Sequence, residues 1–261
     1  MRTALMVLAS ILAGCAIAPR GIDLSTDKLV DLTWPFDSQT LYWPGGPGFE
    51  LTRVFHGVTP GGFFIAVNRF CAPEHGGTHV DAPFHFGEGR RTVDQIPLEQ
   101  LIAPAVVIDI TAKAAVDRDY RLTVEDIRDW EDRNGTIPRA SIVLLRTGWS
   151  KYWPDRKAYF GDDRPGARDA LRFPSYGADA ARILVEQRGV GALGIDTASV
   201  DFGQSRDFAV HRISAPANVV NLENLTNLDQ LPERGAVVIA LPMKISGGTG
   251  GPARVVAIVK K

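Results

Sequence analysis

The sequence predicts an α/β protein built around one sheet, and three observations predict it. Apolar strand-like runs outnumber helical segments, each legible helix feeds a following strand, and no repeat, charge block or low-complexity linker interrupts residues 25–261. The composition agrees: 45% hydrophobic and 23% charged residues in a chain of 261 are globular values, with enough length to bury a core without staples. The 29 Lys plus Arg against 30 Asp plus Glu leave no basic excess to neutralise a phosphate backbone, which argues against nucleic acid as a partner. Two cysteines, Cys15 and Cys71, exclude a disulfide-rich scaffold. After residue 20 no apolar run is long enough to span a bilayer.

The chain opens on an export-like segment. Arg2 precedes the apolar run 4–13, and Leu12-Ala13-Gly14-Cys15 resembles a bacterial lipobox. The expectation is that residues 1–14 are a signal peptide, that Cys15 is lipidated, and that residues 15–24 tether the domain 25–261 to a membrane. The domain would then lie on the periplasmic side, with the outer membrane favoured because residue 16 is Ala rather than Asp. Lipidation of Cys15 leaves Cys71 unpaired, and a lone thiol in an oxidising compartment reads as buried packing.

Strands are expected at 28–33, 62–67, 105–110, 141–146, 190–195, 236–241 and 254–259. Thr123 is an N-cap ahead of Glu125 and Asp126, Ile127 and Trp130 share one face, and Gly135 stops the helix. A second helix is expected at 178–188, with Ala180, Ile183 and Leu184 inward and Gly189 closing it. Residues 154–176, rich in Pro, Gly, Asp and Arg, read as a long surface loop.

The chemistry concentrates at Glu74-His75-Gly76-Gly77-Thr78-His79-Val80-Asp81-Ala82-Pro83-Phe84-His85-Phe86. From His79 the pattern alternates, so His79, Asp81, Pro83 and His85 are expected on one strand face and Val80, Ala82, Phe84 and Phe86 on the other. Pro83 cannot donate to a ladder, which places the strand at an edge or ends it there. Gly76-Gly77 lets the chain fold back, so that His75 can join His79 and Asp81. Two imidazoles and a carboxylate suit Zn²⁺, Mn²⁺ or Fe²⁺ and leave positions for water, whose pKa such an ion lowers to about 7. His85 is expected beside the metal as a proton shuttle. In a straight strand its Cα would lie roughly 13 Å from that of Asp81, so a bend at Pro83 is required.

His75-x-Gly77-Thr78-His79-x-Asp81-x-Pro83-x-His85 resembles the signature of the metal-dependent cyclase family, which includes bacterial kynurenine formamidase and isatin hydrolase. Trp43-Pro44-Gly45, the segment 194–201, and the pair His211 and Glu223 extend the resemblance over nearly the whole mature chain. It implies a three-layer β/β/α swivelling-domain fold, usually in homodimers or higher oligomers. It implies that His75, His79 and Asp81 bind one divalent metal, Zn or Mn. Asp81 can bridge to a second ion on His211 and Glu223, and His85 is the general acid/base. Gly46 departs from the Asp that formamidases often carry after Trp-Pro-Gly, which bears on the substrate more than on the metal.

Among the remaining features, Asp201-Phe202-Gly203 matches a kinase tripeptide without its companion motifs and is set aside. The tract 246–251 could cradle an anion but reads better as a turn before the last strand. Trp34, Phe36, Trp43 and Phe63 are expected in core or pocket wall, with Trp43 stacking on a flat substrate, and His56 is expected to be structural or exposed. The expected function is metal-dependent hydrolysis of a small amide, lactam or lactone. Its rivals are an arylformamidase acting on N-formylkynurenine and a non-catalytic lipoprotein that binds metal or a small aromatic.

Overall fold

The computed structural model describes residues 21–260; the lipobox, its signal segment and Cys15 lie outside the described residues. Twelve strands are described: β1 (Lys28–Asp31), β2 (Glu50–Val58), β3 (Phe64–Cys71), β4 (His79–Asp81), β5 (Ile102–Asp109), β6 (Arg121–Leu122), β7 (Ile142–Arg146), β8 (Ser175–Tyr176), β9 (Ala192–Ile195), β10 (Val220–Glu223), β11 (Arg234–Pro242) and β12 (Gly250–Val259). The α-helices are α1 (Leu98–Leu101), α2 (Thr111–Val116), α3 (Val124–Asn134), α4 (Arg156–Phe160), α5 (Ala178–Arg182) and α6 (Ala209–Ser214).

The main sheet runs β1-β12-β11-β5-β7-β9-β10-β4, and β4 also pairs with β12. That last pairing closes the ring from β12 through β11, β5, β7, β9 and β10 to β4, while β1 pairs only with β12 among the described residues. Side chains alternate across the wall: Ala103, Ala105 and Val107 of β5 point inward with Ala236, Val238 and Ala240 of β11, while Val106 and Ile108 point outward. Alanines at facing inner positions let the two sheet walls approach closely. The outward set packs beneath α3 and α5, so two sheet walls and one helical layer make the α/β architecture.

Helix α3 starts and stops where the sequence predicts. Thr123 Oγ1 accepts from the Asp126 N–H, the Asp126 carboxylate accepts from the Thr123 N–H, and Gly135 takes φ 76° at the end. Trp130 is fully buried, and its indole N–H donates to the Val107 carbonyl at 2.8 Å. The second expected helix spans α5 and continues through Ile183–Arg188 with wider π turns, closing on Gly189 in the left-handed conformation.

Four expectations are corrected. The expected long strand from His79 ends at Asp81, because Pro83 starts a 3-10 turn over Pro83–His85. The strand expected at 62–67 is β3, pairing with β2 in a separate ribbon exposed along almost its full length. Cys71 and Phe63 are therefore exposed rather than packed inside. Residues 154–176 are not a surface loop: they contain α4 and bury Tyr159, Phe160, Leu171 and Phe173 in a third core with Leu41 and Trp149. The abundance of turn formers there hid four large apolar residues. Trp34 stacks on Trp153 with ring centroids 5.2 Å apart, and His56 is exposed on β2.

Candidate metal centre

The centre lies on the outer face of the closed sheet where β4 meets β10. Val80 points into the sheet interior, so His79 and Asp81 on either side of it point out. The antiparallel register sets Glu223 opposite His79 and Asn221 opposite Asp81. A carboxylate and an imidazole more than a hundred residues apart in sequence thus become cross-strand neighbours.

His75 reaches the centre through Gly76 and Gly77, at φ 149° and 58°. A Cβ on Gly76 would lie 2.1 Å from the Tyr42 ring, and one on Gly77 would lie 2.6 Å from the Phe36 ring. Only glycines allow the chain to double back against those aromatics. The 3-10 turn after Pro83 then swings His85 back over the site, where its ring stacks on that of His75 at 3.8 Å between centroids. Helix α6 brings in His211.

Each of the three inner imidazoles is held by one ring nitrogen and presents the other to Asp81, and those of His79 and His211 also face Glu223. His75 contacts Asp81 Oδ1 through Nδ1 at 2.6 Å and Thr249 through Nε2 at 2.8 Å. Thr249 in turn bonds the Glu74 carboxylate. His79 donates from Nδ1 to the Gly77 carbonyl at 2.9 Å, leaving Nε2 at 3.1 Å from Asp81 and 3.6 Å from Glu223. His211 bonds Asp201 through Nδ1 at 2.6 Å and presents Nε2 to Asp81 at 3.1 Å and Glu223 at 3.6 Å. Outer partners of this kind fix the tautomer and aim of metal-binding imidazoles.

The electrostatics follow from this crowding. Burial alone would lower the His79 pKa, but Asp81 and Glu223 outweigh it and raise it to about 9. Burial likewise opposes protonation of His211, and Asp201, Asp81 and Glu223 raise it to about 10. Burial and the neighbouring Asp81 charge push Glu223 up to about 7 against the two imidazoles. Asp81 is held well below the usual carboxylate range: burial opposes this, and His75, His211 and His79 prevail. His85 is lowered, first by its packed surroundings and then by the other histidines, against the pull of Asp81, so it is neutral at pH 7.

The donor set fits a divalent ion. His79 Nε2 is buried without a hydrogen-bond partner while facing two carboxylates. Ligand atoms of His75, His79 and Asp81 lie within 4.8 Å of one another, as do those of Asp81, His85 and His211. Beside these groups opens a cavity of about 290 Å³ walled by Leu41, Trp43, Phe86, Phe160, Ala198 and Phe208.

The family model described as "Putative cyclase" matches residues 30–202, which contain the whole 75–85 motif. The chain belongs to the cyclase family. The isatin hydrolase of Roseibium aggregatum is 35% identical over 223 residues, 82% of each chain. The kynurenine formamidase of Sphingopyxis alaskensis is 31% identical over 229 residues, covering 88% of this chain and 97% of that protein. The solved structure of isatin hydrolase A from Labrenzia aggregata bound to benzyl benzoate superposes with a TM-score of 0.83 at 35% identity, over 91% of this chain and 95% of that one.

The structure brings together His75, His79, Asp81, His85, His211 and Glu223, and places Trp43 on the cavity wall against Phe160 and Phe173. Sequence reasoning missed Asp201, Thr249 and Glu74. Asp201, dismissed with its kinase-like tripeptide, is buried and holds both the ring and the backbone N–H of His211. Its one sequence signal is an acid ten residues before a histidine. The tract 246–251 supplies Thr249 to His75, and a Cβ on Gly250 would stand 2.7 Å from the His75 ring.

Proposed function

We propose that this protein is a metal-dependent hydrolase that opens the carbonyl–nitrogen bond of a small aromatic amide or lactam. The observation that carries the reading is the set of three imidazoles, each anchored at one nitrogen and aimed with the other at Asp81, with those of His79 and His211 also facing Glu223. His75, His79 and Asp81 would hold one divalent ion, and His211, Glu223 and Asp81 a second. Imidazole and carboxylate ligands suit Zn²⁺ or Mn²⁺. Such an ion supplies Lewis acidity toward the carbonyl oxygen and a water that ionises near neutral pH.

The chain's own residues do the rest. The aromatic wall with Trp43 orients a flat substrate and excludes water. His85 is neutral at pH 7, so it can accept a proton from the attacking water and return it to the departing nitrogen. Asp201, Thr249 and Gly77 keep the three imidazoles from rotating away.

The test is a screen of metal-reconstituted protein over formanilides, cyclic imides, isatin and lactones, with His79→Ala alongside. The expected result is turnover of an aryl amide or lactam that disappears together with the bound metal in the variant. Full metal occupancy in His79→Ala by elemental analysis would sink the ligand assignment.

Two further parts of the reading concern setting. The exposed apolar ribbon of β2 and β3 supports a homo-oligomer. The Leu12-Ala13-Gly14-Cys15 box supports export and lipid anchoring at a bacterial membrane, which labelled palmitate on Cys15 would detect.

A further inference from the structure

Asn224 follows Glu223 directly, where β10 ends, and is buried on the wall of the cavity. Its backbone is left-handed, at φ 55°, a conformation asparagine tolerates better than most side chains do. Both of its main-chain groups and both ends of its amide are bonded, each to a different residue. The N–H donates to the Thr197 carbonyl at 2.9 Å, and the carbonyl accepts from Thr78 Oγ1 at 2.8 Å. The side-chain oxygen accepts from the Tyr159 hydroxyl at 2.9 Å, and the side-chain nitrogen donates to the Gly77 carbonyl at 2.9 Å.

The bond to Gly77 reaches the metal centre. The same carbonyl accepts from His79 Nδ1 at 2.9 Å, so one oxygen takes two donors on its two lone pairs. A carbonyl only accepts, so Nδ1 carries a proton there and the Nε2 lone pair is left toward Asp81 and Glu223, at 3.1 Å and 3.6 Å. The carbonyl belongs to a pair of glycines, whose own backbone preference does not fix where it points. Asn224 supplies that constraint from β10. Tyr159 holds the amide from the far side: it is fully buried in the third core, and its hydroxyl also lies 3.3 Å from the Asp196 carbonyl. With the amide reversed, its oxygen would oppose the Gly77 oxygen, two acceptors facing each other. Tyr159 is followed on α4 by Phe160, which walls the cavity, so this chain of bonds joins the wall to the ligand.

We infer that Asn224 is a positioning residue for the metal centre: its amide, oriented by Tyr159, aims the Gly77 carbonyl at His79 and so fixes that ring with Nε2 free to take a divalent ion. This rests on the metal-ligand part of the proposed function and adds to it two residues that act through His79. Partners of this kind orient a ligand and tune its affinity without binding the metal themselves.

The test reads zinc binding and the His79 ring rather than turnover. Asn224→Gly keeps the left-handed backbone and deletes the amide. Tyr159→Phe removes the hydroxyl alone. Zinc affinity by chelator competition should fall about ten- to a hundred-fold in Asn224→Gly, and by less in Tyr159→Phe. In zinc-loaded wild type, the buried His79 Nδ1 proton should give a slowly exchanging resonance in ¹H–¹⁵N spectra, and it should exchange faster in both variants. A folded Asn224→Gly protein with wild-type zinc affinity overturns the proposal, whatever its melting temperature. Lost affinity with the His79 resonance unchanged also overturns it, because the loss would not pass through His79. If Asn224→Gly does not fold, Tyr159→Phe decides: wild-type affinity and a wild-type resonance there sink the idea. A wild type that binds zinc but opens no amide or lactam defeats the hydrolase reading and leaves the zinc comparison standing. A wild type that holds no divalent ion overturns this proposal together with its ligand set.

Discussion

Strand β4 and the ribbon of β2 and β3 invert the usual relation between polarity and burial. β4 is three residues long, carries a histidine and an aspartate, and is entirely buried. The ribbon has seventeen strand residues, carries Leu51, Val54, Phe55, Val58, Phe64, Ile65, Val67 and Phe70, and exposes all of these. The inversion has a physical reason in each case. β4 is paired on both sides, by β10 and β12, and its polar side chains meet complementary groups from three other segments, the loop 75–77, β10 and α6. Among the described residues the ribbon's strands pair only with each other, and almost all of its residues are exposed. Burial is therefore decided by which neighbours the topology delivers, and an apolar surface left over by folding is one that association can bury.

His85→Ala should keep its metal and lose turnover by about 10²–10⁴-fold, the usual contribution of a positioned acid or base. Metal content and kcat measured on one preparation check this. Loss of metal in proportion to activity would make His85 a ligand, in line with its ring nitrogen lying within 4.8 Å of ligand atoms on Asp81 and His211.

The next effect concerns pH. In the metal-free protein the pKa values of His79 and His211 are raised to about 9 and about 10, above the ordinary 6.5. A group raised on folding stabilises the fold fully below its ordinary pKa and loses that contribution as pH rises through its folded value. The chelated protein should therefore melt at progressively lower temperature from about pH 7 to pH 10. Metal loading must displace those same protons, so metal affinity should rise over the same interval. Thermal melts and chelator competition at matched pH check both signs; parallel trends would show that the imidazoles are not the shared site of proton and metal.

The smallest effect on folding is expected at the other end of the comparison. Val58→Lys with Phe64→Asp on the ribbon should change monomer stability by no more than about 0.5 kcal/mol, because both side chains are exposed. The same pair should abolish self-association in sedimentation experiments. A monomeric wild type would remove the oligomer from the proposal and leave the ribbon's apolar surface for another partner.

Local signals were legible in the sequence. The helix α3 boundaries follow from Thr123, Asp126 and Gly135, and the convergence of His75 with His79 and Asp81 follows from a glycine pair and an alternating strand. These are encoded by a few adjacent residues through backbone preference and side-chain period, so they survive without knowledge of the rest. The turn at Pro83 was half legible: proline announced the end of the strand, but only the structure gives the 3-10 turn that stacks His85 on His75.

What only the tertiary structure decided depends on pairing between distant segments. The Glu223–His79 register, the closure of β4 on β12, the hold of Asp201 on His211 and of Glu74 through Thr249 on His75, and the burial of Tyr159 and Phe160 beneath a Pro- and Gly-rich stretch all join such segments. The one exception in range is Asp201, near His211 in sequence but meaningful only once α6 turns the imidazole back toward Asp81. Such contacts form because the summed burial of the whole sheet outweighs the chain entropy of bringing its segments together. No short motif carries that sum, so the sequence by itself determined which chemistry is available, and the closed sheet determined where it converges.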